Sequence, residues 1–250
     1  MDYTIANEYT LPSQGKVYDK EINPQFKLRS MTTAEEMKRL NHSDRQYKAM
    51  AEIMDDCLVD DIGISAYDLC VADYQYMLHK LRIVTYGSEY RLESNCPYCG
   101  SLNRDVLNLD DLHLVPFDEE LFKSATEFTL PLTGKDIKLR VQTPRILDDI
   151  AYRAKEERRR NPKLVGDPAF LFTLESLIDT IDGKKPEQFK LTPFVQKLPM
   201  RDTNYILRSA QKLNNSFGLD SKLIHVCNVC GLDYSSNFRT TSEFFGPSID

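Results

Sequence analysis

The chain has 250 residues, of which 41% are hydrophobic and 28% charged, and its formal net charge is −6. This length is enough to bury a substantial core, either in one elaborated domain or in two modest ones. The acidic balance argues against a protein whose main partner is a polyanion, because nonspecific nucleic-acid binding depends on clustered Lys and Arg. No secretion signal and no run of about 20 apolar residues is visible, so we expect a cytoplasmic protein without membrane insertion.

The first third of the chain predicts an extended arm followed by helices. Residues 1–30 are rich in turn formers and poor in apolar side chains, so we expect an extended arm. Such an arm either frays or is ordered by lying against the rest of the protein or against a neighbouring subunit, and the sequence leaves both open. Residues 31–86 form the predicted helical part. Three positions match helix starts, at Thr33 with Glu36, at Ser43 with Gln46, and at Ser65 with Asp68.

Several reactive side chains of this helical part are assigned structural roles. Cys57 and Cys70 lie on or beside apolar stripes at helical spacing, so we interpret both as small buried hydrophobes. Asp68, Asp73 and His79 share the third predicted helix and could form a catalytic group. No nucleophile accompanies them, and charged residues on helix surfaces are ordinary, so the structural interpretation is favoured.

Residues 113–219 predict an insertion made of a β-hairpin and helices. Apolar side chains alternate on both sides of a turn at residues 133–136, which predicts two strands that share an apolar face. Further helices are predicted after Thr143, after Asp167 with an apolar stripe that reaches Ile181, after Thr192, and from Asp202 to a left-handed cap at Gly218.

The first helix of the insertion ends in a basic cluster. Its members are Arg153, Lys155, Arg158, Arg159, Arg160 and Lys163. Glutamates are interleaved with them, and cations at a helix C-terminus complement its dipole. We therefore favour a solvated face or a protein-docking surface over a nucleic-acid site.

Two CxxC-Gly sequences far apart in the chain are its most specific feature. They are Cys96-Pro97-Tyr98-Cys99-Gly100 and Cys227-Asn228-Val229-Cys230-Gly231, each flanked by strand-like alternation. In a zinc knuckle the two intervening residues turn both thiolates toward one metal, and the Gly permits the left-handed conformation that completes the turn. We predict a structural Zn²⁺ bound by Cys96, Cys99, Cys227 and Cys230, in a zinc-ribbon module of residues 87–112 and 220–243.

Other uses of these cysteines are less compatible with the sequence. A redox CxxC begins a helix, whereas both pairs here are flanked by strand-like residues. Four thiolates leave no open coordination position for hydrolysis, and no phosphate loop, nucleophile elbow or HExxH sequence is present, so we do not expect an enzyme. The acidic flanks of the first pair disfavour nucleic-acid binding. His225 would serve as a ligand only if a cysteine were displaced.

The predicted fold class is α+β. It consists of the helical N-terminal part, a zinc ribbon made of two distant CxxC hairpins, the β-hairpin and helical insertion between them, and a C-terminal tail at residues 244–250. The long insertion is tolerable because loop-closure entropy grows only with the logarithm of loop length.

A series of short sequences spans nearly the whole chain. They are Leu11-Pro12-Ser13-Gln14-Gly15 with Tyr18, Leu81-Arg82, Tyr86-Gly87, the two cysteine pairs, Leu198-Pro199-Met200-Arg201-Asp202 and Phe244-Phe245-Gly246-Pro247. In this order they resemble the zinc-binding baseplate hub proteins of T-even-type contractile-tail bacteriophages. The resemblance implies a non-enzymatic structural or assembly protein with the four cysteines as metal ligands. It also implies a place in the virion tail baseplate, with host cytoplasm as the location during assembly.

Partners implied by the resemblance are other tail and baseplate hub subunits, and homo-oligomer formation stays open. Two alternative functions also stay open on the sequence. One is a nucleic-acid-binding zinc-ribbon regulatory protein that uses the cluster from Arg158 to Lys163. The other is a tail assembly chaperone that is absent from the finished virion.

Overall fold

The computed structural model describes residues 8–41, 43–238 and 242–245. Its mixture of helices and small sheets confirms the predicted α+β class. The helices are α1 (Thr33–Leu40), α2 (Gln46–Cys57), α3 (Val71–Tyr86), α4 (Glu119–Thr126), α5 (Pro144–Arg160), α6 (Pro168–Leu177), α7 (Gln188–Lys197) and α8 (Met200–Asn214). The strands are β1 (Glu8–Thr10), β2 (Gln25–Lys27), β3 (Glu89–Asn95), β4 (Leu102–Asn108), β5 (Leu114–Val115), β6 (Glu127–Thr129), β7 (Asp136–Leu139), β8 (Ile178–Ile181), β9 (Gly218–Leu219), β10 (Lys222–Val226) and β11 (Asp233–Asn237). In these described ranges, no helix combines the length and the apolar character that a membrane span needs.

The first hydrophobic core forms around α3. Strands β1 and β2 pair antiparallel, and the side chains around this hairpin pack with α2 and α3. Leu11, Phe26 and Leu28 are each no more than 1% exposed. Residues 8–28 therefore contribute directly to the core, and the predicted arm lies against the chain's own helices over this range.

A buried carboxylate on α3 holds this N-terminal segment. Asp73 is fully buried and accepts hydrogen bonds from the Ser13 amide (2.9 Å), from the Ser13 hydroxyl and from the Tyr18 hydroxyl (2.6 Å). Burial raises the pKa of Asp73, and the hydrogen bonds from Ser13 and Tyr18 oppose that rise. Ser13 and Tyr18, two residues of the N-terminal resemblance, thus share one partner on α3.

Two predicted capping boxes differ from those in the structure. Helix α1 is capped by Thr32 with Glu35, one residue before the predicted pair of Thr33 and Glu36. The sequence contains two successive threonines and two successive glutamates, so both registers fit the pattern. The ion pair between Arg29 and Glu35 (2.9 Å) stabilises the register that is observed.

The predicted box of Ser43 and Gln46 is wrong for a tertiary reason. Helix α2 begins at Gln46 with no side-chain cap from its own N-terminal segment. Its free amides at Tyr47 and Lys48 instead donate to the carboxylate of Asp148 on α5, at 3.4 and 2.9 Å. Asp148 is only 3% exposed, so this contact joins the insertion to the helical part. The third predicted start is also wrong, because Ser65 caps a single 3₁₀ turn and α3 begins at Val71.

In the insertion, a third strand joins the predicted hairpin. β6 and β7 pair antiparallel, and β8 joins the other edge of β7 to complete a three-stranded sheet. The predicted helical stripe up to Ile181 is therefore wrong beyond Leu177, where α6 ends. The apolar residues at 177, 178 and 181 have helical spacing, but pairing with β7 makes residues 178–181 a strand. Helix α4 was not predicted.

The last two helices of the insertion begin earlier than predicted. Helix α7 begins at Gln188 and contains Pro193 in its interior, whereas a start after Thr192 was expected. Helix α8 begins at Met200. Asp202, the predicted opening residue, is fully buried and accepts hydrogen bonds from the amides of Leu132 and Thr133, both at 2.9 Å. Its carboxylate thus fixes the β6–β7 turn onto α8.

The two ends of the insertion lie side by side where they join the ribbon. β5 and β9, at the two ends of the insertion, pair antiparallel. Gly218 in β9 has a φ of 103° and lies beside α3, where an added Cβ would be 3.0 Å from the Cβ of Ala72. Gly218 therefore serves this close approach and not the cap of α8, which ends at Asn214.

A buried histidine on α3 makes stability depend on pH. The Nε2 of His79 is 2.8 Å from the carbonyl of Leu109, its ring stacks on Phe244, and its Nδ1 is buried with no partner among the described residues. Burial lowers the pKa of His79 to about 4. Between that value and the unfolded value near 6.5, the unfolded chain binds more protons, so lowering the pH destabilises the fold.

We expect His79→Gln to remove this pH dependence, because Gln can donate to Leu109 but does not titrate. Between pH 7 and pH 4.5 the wild type should lose about 2–3 kcal/mol more unfolding free energy than the variant, from a pKa difference of roughly 2.5 units. Denaturant unfolding at several pH values measures the difference. Parallel stability profiles for the two proteins would contradict the assignment.

Candidate metal centre

Two hairpins of matching construction carry the cysteine pairs. β3 pairs with β4 from Glu89 opposite Asn108 to Asn95 opposite Leu102, and β10 pairs with β11 from Lys222 opposite Asn237 to Val226 opposite Asp233. Each Cys-x-x-Cys lies in the turn of its hairpin. The inner faces of the two hairpins contact each other, which brings the two turns together.

The two turns have the same backbone conformation. In the first, the Gly100 amide donates to the Cys96 carbonyl, and in the second the Gly231 amide donates to the Cys227 carbonyl, both at 2.9 Å. Gly100 and Gly231 share a φ of 72°. A Cβ at either glycine would meet nothing within 4 Å, so the requirement for Gly comes from the left-handed backbone and not from crowding.

The four sulfur atoms form one cluster. All four Sγ atoms lie within 4.8 Å of one another. Across the hairpins, Cys96 and Cys230 are 3.8 Å apart, and Cys99 and Cys227 are 3.6 Å apart. Bonds of about 2.3 Å to a tetrahedral zinc ion would place the sulfurs about 3.8 Å apart. The donor set and its spacing therefore fit a tetrahedral metal ion.

Backbone amides prepare one of these thiols for metal binding. The amides of Cys230 and Val229 point at Cys227 Sγ, and with the Ser101 hydroxyl they lower the pKa of the Cys227 thiol to about 5. A hydrogen bond from the Leu232 amide favours the thiolate of Cys230, but burial and the neighbouring sulfurs outweigh it and raise the pKa of Cys230 to about 12. A bound cation would relieve the repulsion among four thiolates.

Polar contacts between the hairpins support the cluster. Asn103 is 1% exposed; its Oδ1 accepts from the Asn228 amide (2.9 Å) and its Nδ2 lies 3.8 Å from Cys227 Sγ. The hydroxyls of Ser94 and Tyr234 are 2.7 Å apart. No local sequence pattern marks Asn103 beyond its place in a strand, because its partners Asn228 and Cys227 lie on the other hairpin.

His225 also joins the hairpins and lies outside the sulfur cluster. Its Nδ1 is 2.9 Å from a carboxylate oxygen of Asp105, its Nε2 is 2.7 Å from the Ser236 hydroxyl, and its ring stacks on Tyr234. The same order of groups occurs in hydrolytic triads, which need a nucleophile that a substrate can reach. His225 is 7% exposed between two packed hairpins, so we interpret this chain of hydrogen bonds as a structural link.

The other candidate residues are dispersed. Asp68 pairs with Arg145 on α5, whereas Asp73 bonds to Ser13 and His79 to the carbonyl of Leu109. Cys57 and Cys70 are buried, and burial raises the pKa of each thiol. No catalytic group therefore forms from these residues.

The comparison with protein families identifies the chain. A family model described as T4 bacteriophage base plate protein matches residues 3–246. The chain belongs to this family. Neither the comparison with curated proteins nor the comparison with solved structures gave a match.

Membership confirms the resemblance seen in the sequence at the level of the T4-type baseplate family. It supports a structural or assembly role in the baseplate, a place in the virion tail, and contacts with other baseplate or tail proteins. The arrangement of the four cysteines is a possible metal site of this baseplate protein.

We expect Asn103→Ala to weaken metal binding about 10- to 100-fold, as is typical when a side chain that supports a ligand is removed. Competition with a chromogenic chelator measures the affinity. Asn95→Ala is the matched control, because Asn95 is an exposed residue at the end of β3. Equal affinities of the two variants would show that Asn103 does not support the site.

Proposed function

We propose that this protein is a structural or assembly component of the baseplate hub, and that one zinc ion clasps its two hairpins. The main support for this proposal is the cluster of four cysteine sulfurs, which come from segments on either side of the insertion. In this proposal the ribbon (87–112 and 220–243) fixes the positions of three other parts relative to one another. These parts are an arm (1–30), a helical part (31–86) and the insertion (113–219).

The donor set supports a structural metal. A tetrahedral set of four thiolates suits zinc or iron, and zinc adds no redox chemistry to a site whose role is mechanical. Structural zinc contributes on the order of 10 kcal/mol of apparent binding free energy in small finger peptides. A contribution of that size would hold β10 and β11 against β3 and β4 while neighbouring subunits dock.

A non-enzymatic role agrees with both the family and the site. The family is one of baseplate structure. Four cysteine ligands would fill a tetrahedral ion and leave no position for a substrate or a reactive water. Surfaces of the protein, and not the metal, would then carry its function in the hub.

Metal analysis of the purified protein tests the clasp. We expect one zinc per chain, and we expect Cys96→Ser and Cys227→Ser to lose it and to unfold at lower denaturant concentration. Cys57→Ala is the control for zinc content and should keep its zinc, because Cys57 lies in the first core and outside the sulfur cluster. Iron in place of zinc, or zinc retained in both Ser variants, would overturn the proposed site.

Phage carrying the same substitutions test the role in the hub. We expect Cys96→Ser to reduce the yield of complete baseplates, as counted by electron microscopy of infected-cell extracts. Mass spectrometry of purified virions then separates a hub component, which is present in the particle, from an assembly chaperone, which is absent. Normal baseplates from phage lacking the protein would refute both roles.

A further inference from the structure

The last turn of α5 and the connection to α6 form a basic surface on an acidic protein. We call residues 158–166 the α5–α6 tip. It contains Arg158, Arg159, Arg160 and Lys163 and no acidic residue, and every one of its residues is exposed. The whole chain has a formal charge of −6, so the tip is opposite in sign to the molecule that carries it.

Ion pairs account for only part of this charge. Arg158 pairs with Asp167 (2.9 Å) and Arg159 with Glu156 (2.6 Å). Among the described residues, Arg160 and Lys163 have no carboxylate partner. A cation in the last turn complements the dipole of α5, which explains Arg160 in part but not Lys163, which lies beyond the helix.

Apolar side chains on the same loop have no cover. Val165 is 97% exposed and Leu164 is 42% exposed. A protein interface has an apolar centre and a polar rim, and an exposed aliphatic side chain beside charged groups can supply a contact of this kind. Two independent features, unpaired positive charge and exposed aliphatic surface, thus coincide on nine residues.

We propose that the α5–α6 tip docks an acidic surface, with an apolar contact for Val165, on another baseplate protein. This inference rests on the proposed role in the baseplate and names the chemistry of one partner surface. Carboxylates on the partner would pair with Arg160 and Lys163, and an apolar depression between them would cover Val165. Pairing of opposite potentials would speed the encounter and fix its orientation.

The composition of the tip favours a protein over a nucleic acid. A surface that follows a phosphate backbone combines an extended basic groove with aromatic side chains on which bases stack. The tip has no aromatic residue, and carboxylates of the chain already neutralise two of its four cations.

Binding measurements with the full-length, metal-loaded protein test the proposal. Each purified baseplate and tail protein of the same phage is the probe in turn, with a DNA duplex as a further probe. We expect at least one of these proteins to bind, and the double variant Arg160→Glu/Lys163→Glu to bind it at least tenfold more weakly. Val165→Ser should weaken the same complex at least threefold, and its exposed position keeps the fold intact.

A charge-matched control is available in the insertion. Lys197→Glu/Lys212→Glu changes the net charge equally at two exposed lysines without an ion pair among the described residues, and it should bind like the wild type.

Equal binding by the tip variants and the wild type would overturn the docking surface and leave the baseplate role intact. Binding of DNA alone, lost in the tip variant, would assign the tip to nucleic acid. Absence of any bound baseplate or tail protein would refute the baseplate role as well.

Discussion

Buried polar groups on one helix organise the chain. On α3, Asp73 accepts from Ser13, His79 bonds to the carbonyl of Leu109, and Arg82 donates to the carbonyl of Phe244 at 2.7 Å. Each of these side chains is at most 1% exposed, and a buried polar group without a partner costs far more than a hydrogen bond contributes. The N-terminal segment, the base of the ribbon and residues 244–245 are therefore each tied to α3.

The sulfur cluster and α3 constrain the ribbon from opposite ends. At one end, Leu109 follows β4 and its carbonyl bonds to His79 of α3. At the other end, Cys96 and Cys227 lie in the turns of the two hairpins. Between these ends, Asn103 and His225 hydrogen-bond across the inner faces. A metal at the turns would thus complete a connection that the protein already makes at its base. In a baseplate, such a ribbon would present fixed outer faces to neighbouring subunits.

Helix α5 joins the insertion to the helical part. The Asp148 carboxylate accepts from the first amides of α2, and Arg145 forms two hydrogen bonds with Asp68. These contacts place the basic end of α5 away from the first core, where the α5–α6 tip is exposed. The three-stranded sheet and its helices form a second core of their own. The protein therefore combines two hydrophobic cores with one ribbon that brackets the insertion.

The sequence by itself determined the fold class, the family and the four cysteines as one set. The cysteines could be recognised because each CxxC-Gly turn is a local signal that needs only five residues. Tertiary structure decided what depends on distant partners. Asp148 replaced the expected cap of α2, pairing with β7 made residues 178–181 a strand, and Asn103 became a support of the cluster. Local patterns record backbone propensity and periodicity, whereas these contacts depend on which segments pack together.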